Sequence, residues 1–401
     1  METKLYDIII VGAGPIGSYL AEKLARLGHK VLVLEKKATA GQDICCTGVV
    51  GKECIDLLEV DTDNNLIIRQ ASSAKFLAPS GKALRLRRND EVAYIIDRPA
   101  LDLALANKAQ ASGVCYLFGT YVTGIQTGTD CLYVEANCQG PKKLFETETA
   151  VIATGFGAPL SQNLGFGKIK ELVYGAQVEV EISGFDEVEV YLDQSLAPNG
   201  FAWLVPTRNG KGIAGLTTHQ QPEWHLNRFL SKLKAQGKIT STEVIPGYGV
   251  IPLRPLSKTY ADRILVVGEA AGQVKPITGG GIYYGLLCAG IAADSLHQAF
   301  LAHDFSKQRL SSYQKRWQAR LGKELKVGYW VHHLYGKLGN RQVERLHNFV
   351  DSNGIPQSIA ELNDLSFDWH SELILKMLKH LAGAIPRRAI KSAPGQKAAT
   401  G

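Results

Sequence analysis

Residues 6–35 constrain the fold of this chain more than any other stretch. An apolar run, Ile8-Ile9-Ile10-Val11, passes directly into Gly12-Ala13-Gly14-Pro15-Ile16-Gly17, and a second run, Val31-Leu32-Val33-Leu34, ends at Glu35. The first run lacks period-two alternation, the pattern of a parallel strand buried on both faces. The spacing predicts strand, helix to about Leu27, and strand. In such a unit Gly12 makes the tight turn, Gly14 lets the backbone approach a pyrophosphate, and Gly17 lets the helix pack against the strand. The helix N-terminus, opened by Pro15, supplies free N–H groups to the phosphates. Glu35 follows Gly17 by eighteen residues, where a carboxylate can bond ribose hydroxyls. Glycine-rich turns alone are common, but strand, glycines, helix, strand and acid all fall at the spacing of a dinucleotide site. Lys36, beside the acid, joins the candidate binding residues.

Composition narrows the setting. With 401 residues the chain can hold two or three domains, and 45% hydrophobic with 21% charged residues is a soluble globular composition. Seven scattered cysteines without a C-x-x-C pair argue against a disulfide framework or metal cage and favour a reducing cytoplasm. The first strand begins too early to leave room for a signal peptide, so none is expected. Pro276–Ala293 carries no charge, yet Thr278, three consecutive glycines and two tyrosines suit a buried helix better than a membrane span. A net charge of +7 is modest, and no nucleic-acid partner is expected. The last residues, 371–401, set six Lys and Arg against Glu372 alone; such a tail is either solvated or leans on an anionic membrane surface.

Further along, the loop Gly41–Gly48 carries the adjacent Cys45 and Cys46. Asp97-Arg98-Pro99 opens a helix to about Ser112, and Thr149–Ala153 is an apolar strand ending in the small-residue turn Thr154-Gly155. From Tyr174 the pattern becomes alternating and β-branched without intervening helices, predicting an inserted antiparallel sheet. The chain returns at Ile264–Val267, followed by Gly268-Glu269 and then Gly279-Gly280-Gly281-Ile282, where a glycine entry opens a long helix aimed at negative charge over the sheet. Beyond residue 300 it is helical. The expected division is 1–170, 171–257, 258–300 and 301–401. His332-His333 are neighbours on a helix and diverge, so no metal site is assigned.

Four segments together resemble the geranylgeranyl reductase family, within the flavoproteins of the p-hydroxybenzoate hydroxylase type. They are the N-terminal glycines with Glu35; Asp97-Arg98-Pro99-Ala100-Leu101-Asp102; Ile264–Gly272 continuing through Pro276–Ile282; and Pro198-Asn199-Gly200-Phe201-Ala202-Trp203-Leu204-Val205-Pro206. The resemblance implies an α/β fold, a Rossmann-like FAD-binding domain with an inserted antiparallel-sheet substrate domain and a helical C-terminus. It implies FAD held by Gly12, Gly14, Pro15, Gly17, Glu35, Lys36, Arg98, Gly155, Gly268, Glu269 and Gly279 to Ile282, with Phe201, Trp203 and Pro206 toward an isoprenoid substrate. The activity implied is reduction of carbon–carbon double bonds in a prenyl chain on a lipid, quinone or chlorophyll-type molecule.

The chain departs from the family in places. Glu269 stands for the usual Asp, Phe201 and Val205 for the commoner Tyr and Phe, and Ala153-Thr154-Gly155 for an Asp-Gly motif that handles nicotinamide in related hydroxylases. The electron donor is left among NADPH, ferredoxin and a quinol, ferredoxin being the case with an electron-donor protein as partner. Cys46 and Tyr283 are the candidate proton donors, beside ordered water. Phe201, Trp203 and Val205 share a strand face that is either sheet core or a substrate wall. Leu373–Ile385 has the apolar stripe of a helix docked on the body or lying on a membrane, the latter making the protein cytoplasmic but membrane-associated. An aromatic monooxygenase or halogenase of the same fold is the rival enzyme, and a flavin-bearing membrane or partner-binding protein the rival outside catalysis.

Overall fold

The computed structural model describes residues 6–59, 66–138, 140, 142–184, 186–240, 245–360, 366–372 and 374–375. The strand Tyr6–Val11 lies at the centre of the first sheet, parallel to Val31–Leu34 on one side and Lys142–Ile152 on the other. Ile9 pairs with both Leu32 and Ala150. Cys115–Leu117 and Ile264–Val266 extend the sheet in parallel, and Tyr260–Ala261 ends it antiparallel. Ile8, Ile9 and Ile10 are fully buried because both faces are covered. Helices Pro15–Arg26, Arg98–Ala111 and Ile282–Leu301 share one core with Ile8 and Ile10, while the hairpin Thr120–Thr127/Leu132–Cys138 shares another with Ile9 and Val11. The helix Lys307–Tyr335 packs on Ile282–Leu301 through Leu310, Tyr313, Trp317 and Leu321.

The second sheet runs, in spatial order, Gly247–Pro252, Leu172–Glu181, Lys211–Thr218, Ala202–Pro206, Val188–Tyr191, Ser73–Leu77 and Ala83–Arg87. Its neighbours pair antiparallel except Val188–Tyr191 with Ser73–Leu77, which are parallel. One face is covered by the helix Pro222–Ala235 through Leu226, Phe229, Leu230 and Leu233; the other faces a cavity.

Two expectations from pattern change here. The apolar strand expected at Thr149–Ala153 is the end of a longer strand, Lys142–Ile152. Its first half pairs antiparallel with Leu132–Cys138 and its second half parallel with Tyr6–Val11, so its side-chain pattern shifts midway. The inserted sheet also takes two strands, 73–77 and 83–87, from the N-terminal part of the chain, and this brings in the parallel pair. The helix expected at Leu373–Ile385 and the basic tail lie almost wholly outside the described residues.

Candidate active site

A cavity of about 1330 Å³ lies between the two sheets, larger than the ~300–1,000 Å³ of ordinary small-ligand pockets. Gly12, Gly14, Pro15, Glu35, Lys36, Arg98, Gly155, Gly268, Glu269, Gly279, Gly280, Gly281 and Ile282 all line it. Gly17 does not; it packs beneath.

The three N-terminal glycines are required for different reasons. Gly12 has φ +111°, and a Cβ there would stand 2.5 Å from the Ala153 carbonyl oxygen. A Cβ on Gly17 would meet the Gly12 carbonyl oxygen at 2.0 Å. Gly14 is in ordinary extended backbone, and a Cβ there would touch no protein atom within 4 Å. Its smallness serves the space in the cavity. The helix that follows has no side-chain cap, and neither has Ile282–Leu301 at Gly281. Both helix starts therefore bring uncapped N–H groups to the cavity, where an anion satisfies them.

Charged side chains mark out the rest of the cradle. Glu35 accepts from the Ala13 N–H at 2.7 Å and the Lys37 N–H at 2.9 Å, which fixes its carboxylate at the end of its strand. Asp97 caps the next helix by accepting from the Ala100 N–H, so Arg98, one residue on, is carried to the cavity. There it pairs with Asp102 at 2.9 Å, lies beside Cys46, and keeps a buried Nε without a partner. Glu269 also lines the cavity. Burial by the surrounding protein raises it above the ordinary carboxyl value, and Arg98 and the Phe156 N–H pull it back. These orphaned donors and the cavity-facing acid fit a pyrophosphate with hydroxyls on either side, the chemistry of FAD.

Opposite the cradle, Thr47 donates to Gln177 of the second sheet at 2.7 Å, tying the cysteine loop to that sheet. Cys45, Cys46 and Tyr283 line the cavity. Tyr283 packs edge-on against Trp369 at 6.1 Å, and burial raises its hydroxyl. Phe201, Trp203 and Val205 line the cavity together, with Phe201 and Trp203 rings 5.7 Å apart. Pro206 does not reach it. Strand alternation turns Pro206 to the opposite side from Val205, which takes the place expected of it.

Pattern reading missed a group beneath the glycine loop. Lys275 forms an ion pair with Asp368 at 2.5 Å, the two side chains 4% and 1% exposed, beside the Phe367 ring. Burial lifts the Asp368 carboxyl against the pull of Lys275. The segment 366–371 is held further by Glu324, which accepts from the backbone of His370 and Ser371, and by Tyr284, which donates to the Asp368 carbonyl. A lone lysine directly before an uncharged run was the available signal. Its partner, 93 residues away, left none. No group of three metal-ligating side chains occurs among the described residues. His332 packs against His219 at 6.1 Å, and burial lowers it to about 4.

With this geometry established, comparison places the chain. The family described as pyridine nucleotide-disulphide oxidoreductase matches residues 6–178. A digeranylgeranylglycerophospholipid reductase from Methanoculleus marisnigri is 29% identical over 375 residues, 88% of this chain and 92% of that one. A geranylgeranyl bacteriochlorophyll reductase-like protein from Thermoplasma acidophilum aligns with a TM-score of 0.83 at 21% identity, covering 96% of this chain and 97% of that chain. The halogenase PltM, solved with FAD, aligns at 0.69 and 13% identity over 96% of this chain and 93% of its own. The two structures show the shared fold. Over most of its length the chain is similar to the digeranylgeranylglycerophospholipid reductases, and it shares its fold with FAD-binding flavoproteins.

Proposed function

We propose that this protein is an FAD-dependent reductase that saturates carbon–carbon double bonds in an isoprenoid chain carried by a lipid, quinone or chlorophyll-type molecule. One observation carries the reading: a single cavity joins the glycine cradle to an apolar sheet face lined by Phe201, Trp203 and Val205. That wall suits hydrocarbon and offers little to a polar sugar or amino acid.

Bound FAD, once reduced, supplies the hydride for one alkene carbon, and the neighbouring carbon then needs a proton. Cys46 and Tyr283, which line the cavity, are the candidate donors beside ordered water. Arg98 sets its guanidinium charge beside Cys46, and the Thr47–Gln177 bond holds the same loop against the sheet. Lys275 and Asp368 form a buried ion pair beneath the glycine loop. The electrons come from NADPH, ferredoxin or a quinol. The basic C-terminal segment contacts the membrane surface in this reading, and Trp330 and Leu334 of the helix Lys307–Tyr335, 53% and 57% exposed next to the cavity-lining Val331 and Tyr335, add an apolar surface there.

The deciding experiment is anaerobic. Holoenzyme reduced with dithionite is offered geranylgeranyl lipids, menaquinone and chlorophyll precursors, and flavin reoxidation is followed with product mass. Reoxidation with two mass units gained per bond supports the reductase; the same assay driven by each donor in turn identifies the electron source. Oxygen-dependent turnover of an aromatic compound without prenyl reduction would favour the monooxygenase or halogenase. Stable flavin with no turnover, and vesicle binding lost on deleting residues 371–401, would favour a binding protein.

A further inference from the structure

The second sheet contains a row of directly paired residues that crosses six of its seven strands, from the strand Leu172–Glu181 beside the cysteine loop to the far edge. Gln177 pairs with Gly215, Gly215 with Trp203, Trp203 with Val190, Val190 with Phe76, and Phe76 with Leu84. All but Gly215 line the cavity. Gly215 lies under the indole, since a Cβ there would stand 2.5 Å from the Trp203 ring. The cavity floor is thus a straight, largely apolar track whose Gln177 end is bonded to the cysteine loop.

The opposite end is roofed. Val343, His347 and Val350 of the helix Asn340–Ser352, and Ile359 of the short helix after it, line the cavity there. That helix is pinned to the hairpin 73–87. Glu344 accepts from the Ser80 hydroxyl at 2.7 Å and its N–H at 3.1 Å, Lys82 pairs with Asp351 at 2.7 Å, and a His347 ring nitrogen lies 3.1 Å from the Phe76 carbonyl oxygen.

Strands neighbour each other at about 4.8 Å, so the five steps from Gln177 to Leu84 span roughly 24 Å, and Val190 and Phe76 stand at roughly 14 and 19 Å. An extended chain advances about 1.2 Å per main-chain bond, so a four-unit prenyl chain of about fifteen bonds reaches ~18 Å and a three-unit chain ~13 Å. A four-unit chain with its first double bond at the Gln177 end therefore finishes at Phe76, while a three-unit chain stops at Val190. Resting on the reductase reading, we propose that this track is a chain-length gauge, with Phe76, Leu84 and the roofing helix as its blind end and Ala74 beside them as a specificity-determining position.

The test uses FAD-loaded full-length protein and glycerol ethers bearing chains of two to five prenyl units. Anaerobic turnover is measured, and so is equilibrium binding of the fully saturated counterparts, which cannot react. Ala74 pairs with Val188 and Leu86 and lines the same end. Ala74→Phe is expected to lower the four-unit to three-unit ratio at least tenfold in both readouts. Leu84→Ala is expected to raise the five-unit to four-unit ratio at least fivefold. Flavin content and melting temperature identify a misfolded variant; should Ala74→Phe be one, Leu84→Ala decides alone. Unchanged ratios in a wild type that reduces prenyl chains would overturn the gauge alone. Equal loss of every length in folded Ala74→Phe would make this end the mouth and overturn it too. A wild type that neither binds nor reduces any prenyl chain would remove the reductase reading, and the gauge with it.

Discussion

Gly14 and Gly17 lie three residues apart in one turn, yet the same substitution should act on different states of the protein. A Cβ at Gly17 would sit 2.0 Å from the Gly12 carbonyl oxygen, a backbone atom that cannot rotate away. Gly17→Ala must displace the helix from the strand, and we expect a loss of about 3 kcal/mol or more, beyond the usual ~1–3 kcal/mol of overpacking. A Cβ at Gly14 meets no protein atom within 4 Å, and its extended backbone accepts alanine. Gly14→Ala should cost the apoprotein only the difference between Gly and Ala as an N-cap, below about 1 kcal/mol. Its methyl group, however, occupies the approach to the uncapped helix start. If that costs the bound pyrophosphate about 1.4–2.8 kcal/mol, the FAD dissociation constant rises ten- to a hundredfold. Apoprotein is prepared by removing flavin, urea unfolding gives the stability of each variant, and fluorescence titration gives FAD affinity. Wild-type affinity in Gly14→Ala, or apoprotein losses equal in the two variants, would refute the placement of phosphate at this turn.

Lys275→Met leaves Asp368 buried without its cation and should lower stability by about 3–5 kcal/mol, with Lys275→Met/Asp368→Leu recovering most of it; a single variant as stable as wild type in chemical unfolding would count against the pair. Cys46→Ser should lower the rate of prenyl reduction about a hundredfold at unchanged flavin content if Cys46 delivers the proton, whereas full activity there with loss in Tyr283→Phe would move that role to Tyr283. Burial holds His332 and His370 at about 4 in the folded chain against an ordinary 6.5, with His219 and His333 adding to the effect on the first and Lys275 on the second. Between those values the unfolded chain binds more protons, so stability should fall as pH drops from 6.5 toward 4, by up to about 1.4 kcal/mol per unit for each histidine, and stay flat above 6.5. Urea midpoints independent of pH between 6.5 and 4.5 would contradict this.

How much of the site could be read in advance depended on how far apart its parts lie along the chain. The strand–glycine–helix–strand–acid unit, the Asp97-Arg98 helix start and the Gly279–Gly281 helix entry are local patterns. Turn geometry, capping and strand burial act within a few residues, so their spacing identifies them, and every one of those elements reaches the cavity except Gly17, which packs under it. Pro206 was misplaced because its motif is read as a string, whereas a strand shows only alternate residues to one side. Lys275 with Asp368, and the track from Gln177 to Leu84, had no local signature. The first joins residues 93 positions apart. The second exists only because strands 73–77 and 83–87 join a sheet otherwise built from residues 172–252. The sequence alone determined which backbone turns reach the cavity, because glycine and helix-start requirements are set by neighbours in the chain. Strand order and register, which long-range burial decides, determined the length and blind end of the apolar track, and only the tertiary structure carries them.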